Sequence, residues 1–153
     1  MRLIHTSDWH LGRTLHGESL LEHQGTFLGW LLDQAVTHQA DAVVVAGDIY
    51  DRAVPPQDAV KLLDKTLAAF AQARIRVILT SGNHDSPVRL GFGSALTEAA
   101  GIHLRTSIAD ITAAVTDGAL TELPVHKFGL HDIVAAHEAC EAGPLGKVLV
   151  VPS

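Results

Sequence analysis

Short apolar runs alternate with longer stretches of helical periodicity from the first residues to about residue 104, and this alternation predicts the fold class. Arg2–Thr6 (RLIHT) reads as an opening strand. Between Leu20 and His38, the residues Phe27, Leu28, Leu31, Leu32, Ala35 and Val36 recur at the spacing of one helix face, which predicts a helix whose Leu and Phe stripe lies in the core. Ala42–Ala46 (AVVVA) is the continuous apolar run expected of a strand covered on both faces in a parallel sheet. Pro55-Pro56 starts a second helix carrying Ala59, Val60, Leu62, Leu63, Leu67, Phe70 and Ala71. Ile75–Leu79 reads as a third strand, Ser94–Ala100 as a short helix and Ile102–Leu104 as a fourth strand. The order β-α-β-α-β predicts an α/β layered sheet with right-handed crossovers.

The residues after each strand carry the candidate chemistry. The first strand runs into Ser7-Asp8-Trp9-His10, the second into Gly47-Asp48-Ile49-Tyr50-Asp51, the third into Ser81-Gly82-Asn83-His84-Asp85. In an open parallel sheet these clusters share the carboxyl edge, where such sheets build their sites. Asp8, His10, Asp48 and Asn83 form an oxygen and nitrogen ligand set without a thiolate, which suits Mn²⁺, Mg²⁺ or Fe better than a structural zinc. Asp48, on the middle strand, is placed to bridge two ions, and a bridged pair neutralises charge developing on a phosphoryl group. His84 is placed to donate a proton or stabilise that charge rather than to ligate. Asp51 and Asp85 are expected to orient histidines as outer acceptors. Each motif alone also reads as an ordinary polar turn; three in order, each behind a strand, argue against accident. His5, His23 and His38 read as plain strand or solvated positions.

Composition narrows the class further. Of 153 residues, 47% are hydrophobic, enough for a core and against disorder. Seventeen acidic residues against eleven Lys and Arg give a net charge of −6, so any nucleic-acid contact is local or metal-mediated rather than a generic basic coat. One cysteine, Cys140, provides no internal disulfide framework and fits a reducing compartment. MRLIHTSDWH turns polar too early for a signal peptide, and the apolar runs fall short of a membrane span, so the expectation is a cytoplasmic chain with no membrane partner.

D-x-H, then G-D-x-x-D, then G-N-H-D resemble the first three signatures of the calcineurin-like metallophosphoesterase superfamily. More narrowly, MRLIHTSDWHLGRTLHG, VVAGDIYDRAVPP and SGNHDSPVRLGFGS resemble the family of SbcD-type nucleases, the nuclease components of bacterial SbcCD, over residues 1–108. The resemblance implies that Asp8 and His10 hold one metal, Asp48 bridges, Asn83 holds the second metal, and His84 assists the phosphodiester transition state. It implies two Mn²⁺ ions (Mg²⁺ as the alternative), 3′→5′ exonuclease and hairpin endonuclease action on DNA, an SbcC-type ATPase partner, and homodimer packing through the helices of the N-terminal half.

The resembling family also places a G-H-x-H motif further along, and residues after 105 contain none. His126, His131 and His137 lack its spacing and glycine context and read as surface positions, so the ligand set is expected to be incomplete and turnover impaired. The family's capping and partner-binding segments are likewise not recognised. Residues 109–153 instead resemble the C-terminus of medium-chain quinone oxidoreductases and alcohol dehydrogenases: a helix like IADITAAVTDG, a strand, a helix like LHDIVAAHEACEAG and a strand like GKVLVVP. The expected organisation is the N-terminal part of a metallophosphoesterase, 1–108, followed by an unrelated α/β tail, 109–153, without a cofactor fingerprint. Two other readings stand beside the nuclease: a small-molecule phosphoesterase of the cyclic-nucleotide type, and an inactive fragment that dimerises.

Overall fold

The computed structural model describes residues 2–107 and, beyond them, residues 125–129, 135 and 147–151. The chain divides into two compact units, Met1–Ile111 and Thr112–Ser153. In the first, the predicted elements appear in order, with β2, β3 and α3 additional to them: β1 (Leu3–Ser7), β2 (Thr14–Leu15), β3 (Glu18–Ser19), α1 (Leu21–Thr37), β4 (Ala42–Ala46), α2 (Gln57–Gln72), β5 (Arg76–Thr80), α3 (Pro87–Leu90), α4 (Ser94–Thr97), a single 3-10 turn (Glu98–Ala100), and β6 (Ile102–Arg105). The short helix expected at Ser94–Ala100 thus breaks into an α-turn and a 3-10 turn.

Strands β1, β4, β5 and β6 form one parallel sheet in that order. Each crossover steps the same way across the sheet, and right-handedness then puts α1 and α2 on one face. That face is the core. Val43, Val45, Val77, Leu79, Ile102 and Leu104 point into it and are buried, packed with Leu28, Leu31 and Ala35 of α1 and Ala59, Leu63 and Phe70 of α2. Along the opposite face of β4 and β5 the cover thins toward the carboxyl edge: Ala42 is buried, Val44 and Ile78 are half-buried and Ala46 is exposed. The expectation that AVVVA is buried on both faces is corrected accordingly, because both helices are spent on the same side.

The helical stripes are also narrower than predicted. Phe27 (39% exposed), Val36 (54%) and Val60 (43%) lie outside the core. At about 100° per residue, Phe27 and Val36 stand roughly 90° from the line through Leu28 and Ala35, at the flanks of the buried face. Both helices end in the same way, in a Schellman turn without glycine. Gln39 (φ 51°) and Arg74 (φ 59°) take the left-handed position, while Ala40 and Ile75 donate back to the carbonyls of Ala35 and Phe70.

In the second unit, β7 (Val125–Gly129) pairs in parallel with β8 (Lys147–Val151). The strand expected near GKVLVVP is therefore present, whereas the two tail helices and the positions of His131 and His137 lie outside the described residues. No helix among the described residues is long and apolar enough to cross a membrane.

Candidate metal centre

Strand register brings the three polar clusters together. Ser7 lies beside Ala46 and Ala46 beside Thr80, so the three chains leave the sheet at one carboxyl edge. The first two loops then run side by side: Asp8 donates its N–H to the Gly47 carbonyl, His10 to that of Asp48, and Leu11 to that of Ile49. Keeping these bonds while turning side chains inward demands an unusual backbone. Asp8 (φ 56°), His10 (φ 45°) and Asp48 (φ 46°) all occupy the left-handed region. Such a conformation costs a non-glycine residue about 1–3 kcal/mol and persists where its surroundings enforce it, characteristically at sites.

The imidazole of His10 stands at the centre. Its Nε2 is 3.9 Å from Asp8 Oδ1 and 3.9 Å from Asp48 Oδ2, and its Nδ1 is 3.6 Å from Asp51 Oδ1. Nδ1 is buried and has no hydrogen-bond partner. The ring of His84 meets that of His10 edge-on, with centroids 4.8 Å apart. Ligating atoms of His10, Asp48 and His84 all lie within 4.8 Å of one another. Separations near 3.9 Å are too long for hydrogen bonds. They fit donors around one divalent ion: with bonds near 2.1 Å, octahedral neighbours stand about 3.0 Å apart and opposite ligands about 4.2 Å. The donor set of carboxylate and imidazole therefore fits a hard or borderline divalent cation.

The other expected residues take distinct places. Asp48 is buried and also accepts the backbone N–H of His84 on Oδ1 at 2.9 Å, which ties the second loop to the third. Asp8 reaches in from the rim with an exposed carboxylate. Asn83 is exposed, one residue before His84 on the same loop. Asp51 serves both histidines, its carboxylate facing His10 and its carbonyl lying 2.9 Å from Nδ1 of His84. A carbonyl only accepts, so His84 carries its proton on Nδ1, and Nε2 is the atom left to ligate or exchange a proton. His84, expected to donate a proton rather than to ligate, thus has a ring nitrogen inside the cluster of atoms that could hold an ion. Asp85 differs from expectation. Its buried carboxylate accepts the backbone N–H groups of Gly82, Ile49 and Tyr50 at 2.8–3.0 Å rather than orienting an imidazole. Three amides converge on it because both loops turn their N–H groups inward at the point where they touch.

Two features, the β2–β3 hairpin and Gln24, were not singled out in the sequence, whereas the glycines before Asp48 and Asn83 fit a tight turn that lets the backbone bring a side chain close to a site. The hairpin β2–β3 turns at His16 (φ 52°) and Gly17 (φ 89°), a two-residue turn with both centres left-handed. Gly82 has no room for a side chain: a Cβ there would fall 2.1 Å from Asp48 Oδ1 and 2.3 Å from Asp48 N. Gln24 bonds to the backbone of the first loop at three points, Trp9 O, His10 O and Gly12 N. A signal for Gln24 existed, since it is the polar residue on the otherwise apolar line through Leu28, Leu31 and Ala35.

Burial, reinforced by the charges of Asp85 and Asp64, pushes the Tyr50 phenol up from 10.0 to about 12. A phenol whose folded value exceeds its unfolded value stabilises the fold fully below pH 10, and that contribution is lost as pH rises from 10 to about 12. Tyr50 is the chain's single tyrosine, so tyrosinate absorbance reports it alone. We expect a midpoint near 12 in the folded protein and near 10 in denaturant; an equal midpoint in both would refute the burial.

With this geometry in place, the likeness to known proteins is specific. The family model for calcineurin-like phosphoesterases matches residues 1–140. The SbcD component of the SbcCD nuclease from Staphylococcus saprophyticus is 42% identical over 119 residues, which cover 77% of this chain and 32% of that protein. The chain thus spans about a third of the length of this curated relative. The match includes the three strand ends that converge around His10, and on this basis the chain belongs to the calcineurin-like phosphoesterase family.

Proposed function

We propose that this chain carries the metal-binding half of a DNA phosphodiesterase of the SbcD type. One observation supports this most: His10, Asp48 and His84 bring ligating atoms within 4.8 Å of one another at the edge shared by three parallel strands. Asp8 and His10 would hold one Mn²⁺, Asn83 a second, and Asp48 both, with Mg²⁺ as the alternative ion. Bound cations would supply Lewis-acid neutralisation of the phosphodiester. The protein's own part is to fix His10 between two carboxylates, to hold Asp48 through the His84 amide, and to present Nε2 of His84 to the phosphoryl group. With its Nδ1–H on the Asp51 carbonyl, His84 donates from Nε2 only as the imidazolium, so its proton must be loaded before each leaving group departs.

The 42% identity to a subunit of the SbcCD nuclease supports nucleic acid as substrate and an SbcC-type subunit as partner, and the single Cys140 suits a cytoplasmic setting. The exposed flanks of α1 and α2 suit a homodimer. The separate origin of residues 109–153 rests on their sequence resemblance alone, and the family match runs on to residue 140. Residues 86–153 contain no G-H-x-H, so Mn²⁺ uptake by this chain alone is expected to be at least about tenfold weaker than in a site with every ligand present.

The test compares hairpin DNA, cyclic AMP and bis-p-nitrophenyl phosphate under saturating Mn²⁺. We expect slow, chelator-sensitive hydrolysis that favours DNA and disappears in Asp48→Asn. Preference for cyclic AMP would replace the nuclease reading with the small-molecule one. A chelator-indifferent dimer with no hydrolysis would replace both.

A further inference from the structure

The loop that carries Asp8 and His10 is held from two sides, and only one of them belongs to the family's motifs. On one side its N–H groups bond to the loop after β4. On the other, the half-buried Gln24, in the first turn of α1, uses both ends of its amide. Nε2 donates to the carbonyls of Trp9 (3.1 Å) and His10 (2.8 Å), and Oε1 accepts the N–H of Gly12 at 3.1 Å. These bonds span the segment in which His10 is left-handed and Gly12 is at φ 88°. Alternating left-handed residues turn successive peptides over, so their carbonyls leave the strand ladder and need a donor from elsewhere. Gln24 is that donor for Trp9 and shares the His10 carbonyl with the N–H of Arg13 at 3.0 Å, and no other uncharged side chain of its reach offers donor and acceptor together.

We infer that Gln24 is a positioning residue: it fixes the backbone of Trp9–Gly12 so that the His10 imidazole faces the carboxylates of Asp8 and Asp48. It touches no reacting atom. Gln24 acts as the outer partner of a ligand, reaching it through the main chain instead of through the ring. Outer partners of metal ligands typically change metal affinity about 10–100-fold when removed. The inference rests on the metal-centre reading above, and the experiment separates the two.

Mn²⁺ uptake by the full chain is followed by calorimetry and by the electron-spin signal of free Mn²⁺. The His10 ring C–H resonance, identified by its loss in His10→Asn, is recorded without metal. Gln24→Met keeps the length and loses all three bonds; Gln24→Glu keeps only an acceptor. Both are expected to weaken Mn²⁺ binding by about tenfold or more while still folded, and to shift the His10 resonance before any metal is added. Leu28→Val, on the same helix face but away from the loop, should lower the melting temperature and leave both readouts in place. If the unsubstituted chain takes up no Mn²⁺, the metal-centre reading fails and positioning fails with it. If it binds Mn²⁺ and Gln24→Met binds as tightly with an unmoved His10 signal, the positioning role alone is overturned.

Discussion

Replacing Asp85 by alanine is expected to destabilise the first unit by roughly 3–6 kcal/mol, enough to threaten a domain whose net stability is about 5–15 kcal/mol. The magnitude follows from what the carboxylate does. It is buried and accepts three backbone N–H groups, from Ile49 (3.0 Å), Tyr50 (2.8 Å) and Gly82 (2.9 Å). Those donors come from two different loops, so the side chain is a bridge between the segment bearing Asp48 and the segment bearing His84. Truncation removes three charge-assisted bonds and strands the buried amides of Ile49 and Tyr50, each costing about 1–3 kcal/mol when unpaired. Asp85→Asn keeps an acceptor but turns an NH₂ toward donors, and should fall between wild type and alanine. Urea denaturation of the three proteins measures this directly. A loss below about 1 kcal/mol in Asp85→Ala would mean that the amides find other partners and that the two loops are not joined here.

This role shows where sequence reading stops. The strands were legible because AVVVA and IRVIL carry their own signal, and the parallel order followed from helices between them. That Asp8, Asp48 and His84 meet at one edge was also legible, because parallel strands end on the same side. What Asp85 bonds to was not. A carboxylate next to a histidine in sequence invites pairing with a histidine, yet its partners are amides, two of them about 35 residues away, decided by how two loops stack. Left-handed backbone at Asp8, His10 and Asp48 was equally hidden, since aspartate and histidine tolerate that region without announcing it. Helix ends gave the same difficulty: Gln39 and Arg74 occupy positions usually marked by glycine. Periodicity over-reached in the other direction, placing Phe27 and Val36 in a core whose width is set by the neighbouring sheet and helix rather than by the residue's own hydrophobicity.

Gly82→Ala is expected to be the most damaging single-methyl addition near the site, removing Mn²⁺ uptake by at least about 10–100-fold and destabilising the unit by about 1–3 kcal/mol or more. Conformational strain is not the reason, for Gly82 is not among the residues with positive φ. Space is. The added Cβ would stand 2.1 Å from Asp48 Oδ1, 2.7 Å from its Cγ and 2.3 Å from its backbone nitrogen. A carboxylate alone could rotate away, but the nitrogen cannot, because the Asp48 backbone is left-handed and its carbonyl is engaged by His10. Relief therefore requires the loops after β4 and β5 to separate, which pulls Asp48 from the His84 amide and from the cluster of ligating atoms at once. Gly47→Ala provides the contrast. Its Cβ would meet Gly82 Cα at 3.3 Å, a milder contact, so its penalty is mainly that of a left-handed alanine at φ 79°, about 1–2 kcal/mol. A double-mutant cycle between Gly82→Ala and Asp48→Ala distinguishes the two sources of clash. Removing the Asp48 side chain eliminates the contacts with Oδ1 and Cγ and leaves the one with nitrogen, so the combined loss should be smaller than the sum yet larger than Asp48→Ala alone. Strict additivity would show that the methyl group is absorbed elsewhere and that the close approach of the two loops does not hold Asp48 in place.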